Sequence, residues 1–297
     1  MTLKQALSQA RNILAASNIE DAFVESELLL RHTLKINRVQ LYLDLNRELT
    51  PKQRANFWQL IKRRLNGEPT AYITGHREFY GLDFYVDPHV LIPRPESELL
   101  VERALQLVRR RHITTIADIG TGCGAIAISL ALNLLQTNIY AIDISASALE
   151  IAQINCHKHG VTDRISFLHG DMLDPLPEPV DLIIANLPYV KKSELPHTGL
   201  ASFEPVVALN GGPAGLDKIR QLCKQVRGKL SPQGCLMLEI GQGQREAVTS
   251  FLYRLFPSAS VKVTPDLSGI ERVVSLCLTP NCPDAKLVNW VLPRAKD

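Results

Sequence analysis

From residue 113 onward, short apolar runs alternate with helical intervals, and this alternation limits the fold more than any other feature of the chain. Runs at 113–119, 138–142, 165–168, 181–185 and 235–240 are largely apolar, with helical spacing between most of them. Strands buried on both faces read this way, so an α/β fold with a parallel sheet covered by helices is expected. Two last runs, 260–264 and 272–278, have only a short turn containing Gly269 between them. That is too little for a crossover helix, so they are expected to pair antiparallel at one edge.

Upstream the texture differs. Residues 1–66 keep a helical pattern, with Leu3, Ala6, Leu7, Ala10, Ile13 and Leu14 on one face and Thr50-Pro51 as cap and first turn before Phe57, Leu60, Ile61 and Leu65. Through Glu68 this part carries eleven basic against seven acidic side chains, a net +4. Residues 67–95 turn aromatic and β-branched, punctuated by glycine and proline, and a β-hairpin linker is expected there. A helix follows over 96–111. The expected organisation is a helical N-terminal substrate-recognition domain (1–66), a linker (67–95), a catalytic α/β domain (96–280) and a C-terminal tail (281–297) that contains Trp290.

Composition excludes several classes. With 45% hydrophobic and 21% charged residues, the 297-residue chain has the balance of a globular protein, and its size does not force oligomerisation. A net charge of +3 gives no global field for DNA or anionic lipid. No apolar stretch is long enough to span a bilayer, and the N-terminus lacks a signal-type apolar core. The six cysteines are scattered without a CxxC pair, which predicts unpaired thiols, a cytoplasmic setting and no metal, Cys277 and Cys282 lacking two further ligands.

The segment Gly120-Thr121-Gly122-Cys123-Gly124 ends a predicted strand and opens a helix. Glycines let the backbone turn sharply and approach a ligand with no Cβ in the way. The spacing is GxGxG, neither the dinucleotide fingerprint nor a phosphate loop. The next strand ends in Asp143, 23 positions after Gly120. A carboxylate there can accept from both hydroxyls of a ribose, or can cap the helix that follows; the residues alone leave both readings open. A third strand ends at Gly170-Asp171-Met172, where Asp171 can meet an adenine amino group and Met172 either lies against the ring or fills the core. Three such strand ends in order point to a nucleoside site.

The fourth strand runs into Asn186-Leu187-Pro188-Tyr189. The Asn186 side-chain oxygen and the Leu187 carbonyl can each accept one N–H of a planar amino group, with the Tyr189 ring as a flat face beneath it. Without the glycine segment, Asn186 and Pro188 would read only as the end of a strand. His157, His159 and His169 read as surface or capping residues, and no obligatory base stands beside the motif.

A strand, GxGxG, a helix, a strand-end Asp and Asn-x-Pro-Tyr in this order resemble the S-adenosylmethionine-dependent amino methyltransferases over roughly residues 113–278. Gly67 to Gly75, Arg77-Glu78-Phe79-Tyr80, Leu91 to Glu98, and Glu204-Pro205 through Gly211-Gly212 resemble the HemK/PrmC family over nearly the whole chain. That resemblance implies a Rossmann-like, seven-stranded methyltransferase fold and methylation of the side-chain amide of a glutamine in peptide chain release factors, by direct in-line transfer from S-adenosylmethionine. It implies that Gly120, Thr121, Gly122, Cys123 and Gly124 line the methionine part of the cofactor, Asp143 the ribose and Met172 the adenine side. Asn186, Leu187, Pro188 and Tyr189 are then the catalytic, substrate-binding group, with Asn186 also beside the cofactor. A release factor is the expected partner of a monomeric enzyme, with no membrane and no nucleic acid as direct substrate.

In one respect the chain departs from the family, which usually carries Asn-Pro-Pro-Tyr where Leu187 stands here, as in the Asn-Leu-Pro-Tyr of rRNA adenine dimethyltransferases. Preceding a proline keeps the Leu187 backbone extended and its carbonyl available, while the restraint on Asn186 and one fixed φ are lost. Two rivals follow: a nucleic-acid methyltransferase acting on the exocyclic amine of adenine in the same pocket, and a binding module that keeps the fold without turnover.

Overall fold

The computed structural model describes residues 1–195 and 203–279. Five helices come first: α1 (Leu3–Ala16), α2 (Ala22–Leu34), α3 (Arg38–Leu43), α4 (Pro51–Leu65) and α5 (Thr70–Thr74). The apolar positions of α1 recur every three to four residues, so Leu3, Ala6, Leu7, Ala10 and Leu14 are all buried on one face. In α4 the Thr50 side chain accepts from the Gln53 amide while Gln53 reaches back to the Thr50 amide, and Pro51 occupies the first turn. Glu25 of α2 pairs with Arg64 of α4 through two of its guanidinium nitrogens, Nε and Nη2. Leu29, Leu30, Leu41, Phe57 and Ile61 close this helical core, which extends to Ile73.

An antiparallel hairpin, β1 (His76–Phe79) and β2 (Leu82–Tyr85), follows. It is shorter than the linker expected over 67–95, because residues 70–74 form α5 and 90–92 belong to no strand. The sequence texture there signalled burial, and Tyr72 supplies it from a helix, its hydroxyl donating to the Val90 carbonyl at 2.6 Å. The helix expected over 96–111 is α6 (Glu98–Val108), preceded by a single 3-10 turn over Pro95–Ser97.

The remaining elements are β3 (Thr115–Ile119), α7 (Ala125–Asn133), β4 (Asn138–Asp143), α8 (Ala146–Lys158), β5 (Ile165–His169), β6 (Val180–Ala185), α9 (Val206–Leu209), α10 (Asp217–Gln225), β7 (Leu230–Glu239), α11 (Arg245–Leu255), β8 (Ser260–Pro265) and β9 (Glu271–Cys277). Their strands form one seven-stranded sheet in the order β5-β4-β3-β6-β7-β9-β8. The first five are parallel, and β9 lies antiparallel between β7 and β8. The expected antiparallel pair therefore exists at the edge, reached by inserting the last strand inside the eighth.

Side chains alternate across the sheet as its pleat requires. Ile116, Ala141, Leu182 and Ile184 face a core shared with the hairpin and α6 to α8, whereas Ala117, Ile119, Ile142 and Ile183 face one shared with α10 and α11. The expectation of unpaired thiols is corrected here. Cys235 and Cys277 are direct register partners on β7 and β9, with Cα atoms 4.3 Å apart and their sulfurs joined. Their separation of 42 residues hid the pairing. Cys123, Cys156 and Cys223 are free and buried. The tail 281–297, Trp290 and Cys282 lie outside the described residues. Among the described residues no helix is long and apolar enough to cross a membrane.

Candidate active site

The sheet order places β4 on one side of β3 and β6 on the other, so the chain reverses direction around β3. Crevices outside the carboxyl ends of parallel strands open at such a point. Here a cleft with about 760 Å³ of unfilled space is lined by Gly120 and Gly122 after β3, Asp143 at the end of β4, Gly170, Asp171 and Met172 after β5, and Asn186, Leu187 and Pro188 after β6. Four strand ends thus bring both predicted groups to one cleft. Pro205, Val207 and Ala208 line the cleft as well.

The glycine bend is held by its neighbours. Gly122 has φ +56° with no heavy atom within 4 Å of where a Cβ would stand, so that point of the wall is left open. Its amide donates to Asp143 Oδ2 at 2.9 Å, and Asp143 Oδ1 accepts from the Ser145 amide at 2.9 Å. Helix α8 is capped by Ser145, whose hydroxyl accepts from the Ala148 amide. Asp143 is therefore freed from the capping role and joins the bend to the cleft wall. Burial pushes its carboxyl upward from the usual range, while the amides of Ser145, Gly122 and Ile144 pull it back.

Three residues of the bend stand behind the lining. Thr121 donates its hydroxyl to Asp118 Oδ2 at 2.7 Å, the Cys123 carbonyl accepts from Asn155 at 2.9 Å, and Gly124 takes a left-handed turn against Ala152 and Ile128. Asn155 also exchanges two hydrogen bonds with the Tyr85 backbone, so the hairpin is tied to the bend. Asp118 is wholly buried, its carboxyl is pushed up to about 7, and Oδ1 has no partner. Open backbone at Gly122, a strand-end carboxylate and an orphaned acid oxygen behind them suit a nucleoside that carries a cationic amino-acid tail.

Across the cleft, Asn186 donates its side-chain amide to Ser97 Oγ at 2.8 Å, which leaves Oδ1 as the acceptor. Leu187 is buried, and a Cβ built on Gly120 would stand 3.3 Å from its Cδ2, so the two segments are in contact. Tyr189 lies off the lining. Its ring packs over Gly241 and its hydroxyl donates to Glu239 Oε1 at 3.3 Å. Asp171 also accepts from Gln221 at 2.6 Å, and Met172 is buried with φ +51°.

Several supporting residues went unread in the sequence. A Cβ on Gly211 would fall 2.7 Å from the Pro188 carbonyl and 2.8 Å from Tyr189 Cα, so this glycine lets its loop close on the Asn186 to Tyr189 segment. Glu204, buried, accepts from the Ile92 amide at 3.1 Å and from Arg94 at 2.5 Å, joining the loop before α6 to the 205–208 wall. Ser97 and Glu239 are the others. Ser97, Glu204 and Gly211 carried a signal, as parts of the segments that resemble the family, but their contacts lie far away in sequence; Glu239 carried none.

Comparison with known proteins agrees with this geometry. Residues 5–75 match the PrmC N-terminal domain and residues 95–202 the Methyltransferase small domain. A release factor glutamine methyltransferase of Moorella thermoacetica is 44% identical over 276 residues, covering 92% of this chain and 97% of its own length. One from Koribacter versatilis is 40% identical, covering 92% and 98%. A solved methyltransferase from Pyrococcus furiosus shares the fold with a TM-score of 0.52 at 18% identity, over 67% of this chain and 90% of its own. At such identity over nearly full lengths, with the glycine bend and the Asn186 segment on one cleft, this chain belongs to the release factor glutamine methyltransferase family.

Proposed function

We propose that the chain transfers a methyl group from S-adenosylmethionine to the side-chain amide nitrogen (N5) of a glutamine in a peptide chain release factor. The observation that carries this is the single cleft shared by Gly122, Asp143 and Asn186. When bound, S-adenosylmethionine supplies an electrophilic sulfonium methyl. Gly120 and Gly122 would approach its amino-acid part, Asp143 its ribose, and Asp171 and Met172 its base. Thr121, Cys123 and Gly124 set the shape of the bend from behind.

An amide nitrogen is a poor nucleophile because its lone pair is delocalised into the carbonyl. Acceptance of its two N–H bonds by Asn186 Oδ1 and the Leu187 carbonyl holds the nitrogen in line and favours the pyramidal form of the transition state. Pro188 fixes the carbonyl that precedes it. Tyr189, clamped by Glu239 and Gly241, anchors the far end of the segment. The proton released on methyl transfer is assigned to water, because His89, the histidine among the described lining residues, is tied through Nδ1 to Asp87 at 3.0 Å.

Residues 1–66 are assigned to recognition of the release factor, 67–95 to the link, and 96–280 to catalysis, in a cytoplasmic monomer. The reading with adenine as substrate is not favoured: both relatives above are named for glutamine. Asn186→Ala is expected to lower methyl transfer by about 100-fold or more, the cost of losing a preorganised acceptor, with cofactor affinity unchanged by calorimetry. Asp143→Ala should weaken cofactor binding first. Labelled cofactor with purified release factor or RNA, followed by mapping of the methylated atom, decides the substrate; label on RNA alone would refute the reading.

A further inference from the structure

A carboxamide is nearly symmetrical in shape, and an acceptor role for Asn186 requires that its oxygen, not its nitrogen, face the target. Ser97 Oγ receives Asn186 Nδ2 at 2.8 Å, but a hydroxyl alone does not decide the matter, because it can donate as readily as it accepts. What commits it is behind it. Ser97 and Glu239 are both buried, at 3% and 1% exposure. Glu239 Oε1 takes the Tyr189 hydroxyl at 3.3 Å, while Oε2 is buried with no hydrogen-bond partner of its own. Burial opposes the charged form of this carboxyl, and Ser97 is among the side chains that favour it. An ionised carboxylate only accepts, so a Ser97 proton turned toward its unpartnered oxygen would leave the Ser97 lone pairs to receive Asn186.

We propose that Glu239 is a positioning residue which, by polarising Ser97, fixes the Asn186 carboxamide with its oxygen toward the substrate amide. The inference rests on the proposed glutamine methylation and adds the device that orients its acceptor. It also explains why two members of the Asn186 to Tyr189 segment converge on one buried acid. Arg272 of β9 supports the charge on Glu239 and Glu96 opposes it, while burial pushes the carboxyl up to about 7. Below that pH a protonated Glu239 donates, the Ser97 proton is released toward Asn186, and the carboxamide loses its fixed sense.

The test compares Ser97→Ala, Ser97→Thr and Glu239→Gln on the full chain with release factor, measuring kcat, KM, cofactor affinity by calorimetry and thermal unfolding. Ser97→Ala is expected to lower kcat by about 10- to 100-fold with cofactor affinity and KM within about threefold, and Ser97→Thr, which keeps the hydroxyl, is expected to restore it. The wild-type kcat should fall as pH drops through about 7, and Glu239→Gln should lose that limb. Wild-type kcat in Ser97→Ala, no recovery in Ser97→Thr, or an unchanged acid limb in Glu239→Gln each overturns the proposal. If Ser97→Ala does not fold, the Ser97→Thr rate and the Glu239→Gln profile decide. An inactive wild type refutes glutamine methylation itself, whereas an active wild type matched by Ser97→Ala refutes only this positioning role.

Discussion

Asp118 keeps a proton that the unfolded chain gives up readily. Burial pushes its carboxyl from 3.8 to about 7, against the pull of the Thr121 hydroxyl and the Ala127 amide. The folded state therefore binds this proton more tightly, and the resulting stabilisation is present at acid pH and lost as pH rises toward and past 7. Asp118→Asn is expected to melt above the wild type at pH 8, the gap narrowing by pH 5, as read by calorimetry. Gly211→Ala presses a methyl on the backbone of Pro188 and Tyr189. It should cost about 1 to 3 kcal/mol in denaturant unfolding and lower kcat as well. The positions of single residues on the cleft were legible in the sequence where their setting is local: Gly122 in its bend, Asp143 at its strand end, Asn186 at the end of its strand. The role of Ser97 was not, because its partner Asn186 lies 89 residues away, and a serine in a proline-flanked turn carries no sign of which side chain it will hold.

Elements were legible where period and caps agree. Helices α1 and α4 followed from their apolar spacing, α4 also from its Thr50 cap, and the strands around the cleft from their apolar runs. Residues 70–74 show where local texture fails: tyrosine and isoleucine favour strands, but five residues seated against the helical core wind as α5. Thr50→Ala removes one half of a reciprocal cap and should cost about 1 kcal/mol. Glu25→Ala should cost more, about 3 kcal/mol, because it strands the buried Arg64 guanidinium without its counterion. Denaturant unfolding of the two variants checks that order, and neither should change cofactor affinity.

At the scale of the molecule, alternation along the chain sufficed for a parallel sheet with an antiparallel edge, but not for the helical core reaching past residue 66 to Ile73. Removal of residues 1–66 is expected to reduce kcat/KM on whole release factor by about tenfold or more, equivalent to 1.4 kcal/mol of recognition, while a short glutamine peptide is methylated within a few-fold of the full chain. Equal loss on both substrates, in a chain that still melts cooperatively, would assign those helices to support alone. The contact of Leu187 with Gly120 has a kinetic signature of its own. Under the proposed function the cofactor and substrate seats meet there, across one isobutyl group. A bulkier side chain at 187, such as Leu187→Phe, would spread both seats at once, and its penalty would register in cofactor affinity and turnover together, whereas Asn186→Ala touches turnover alone.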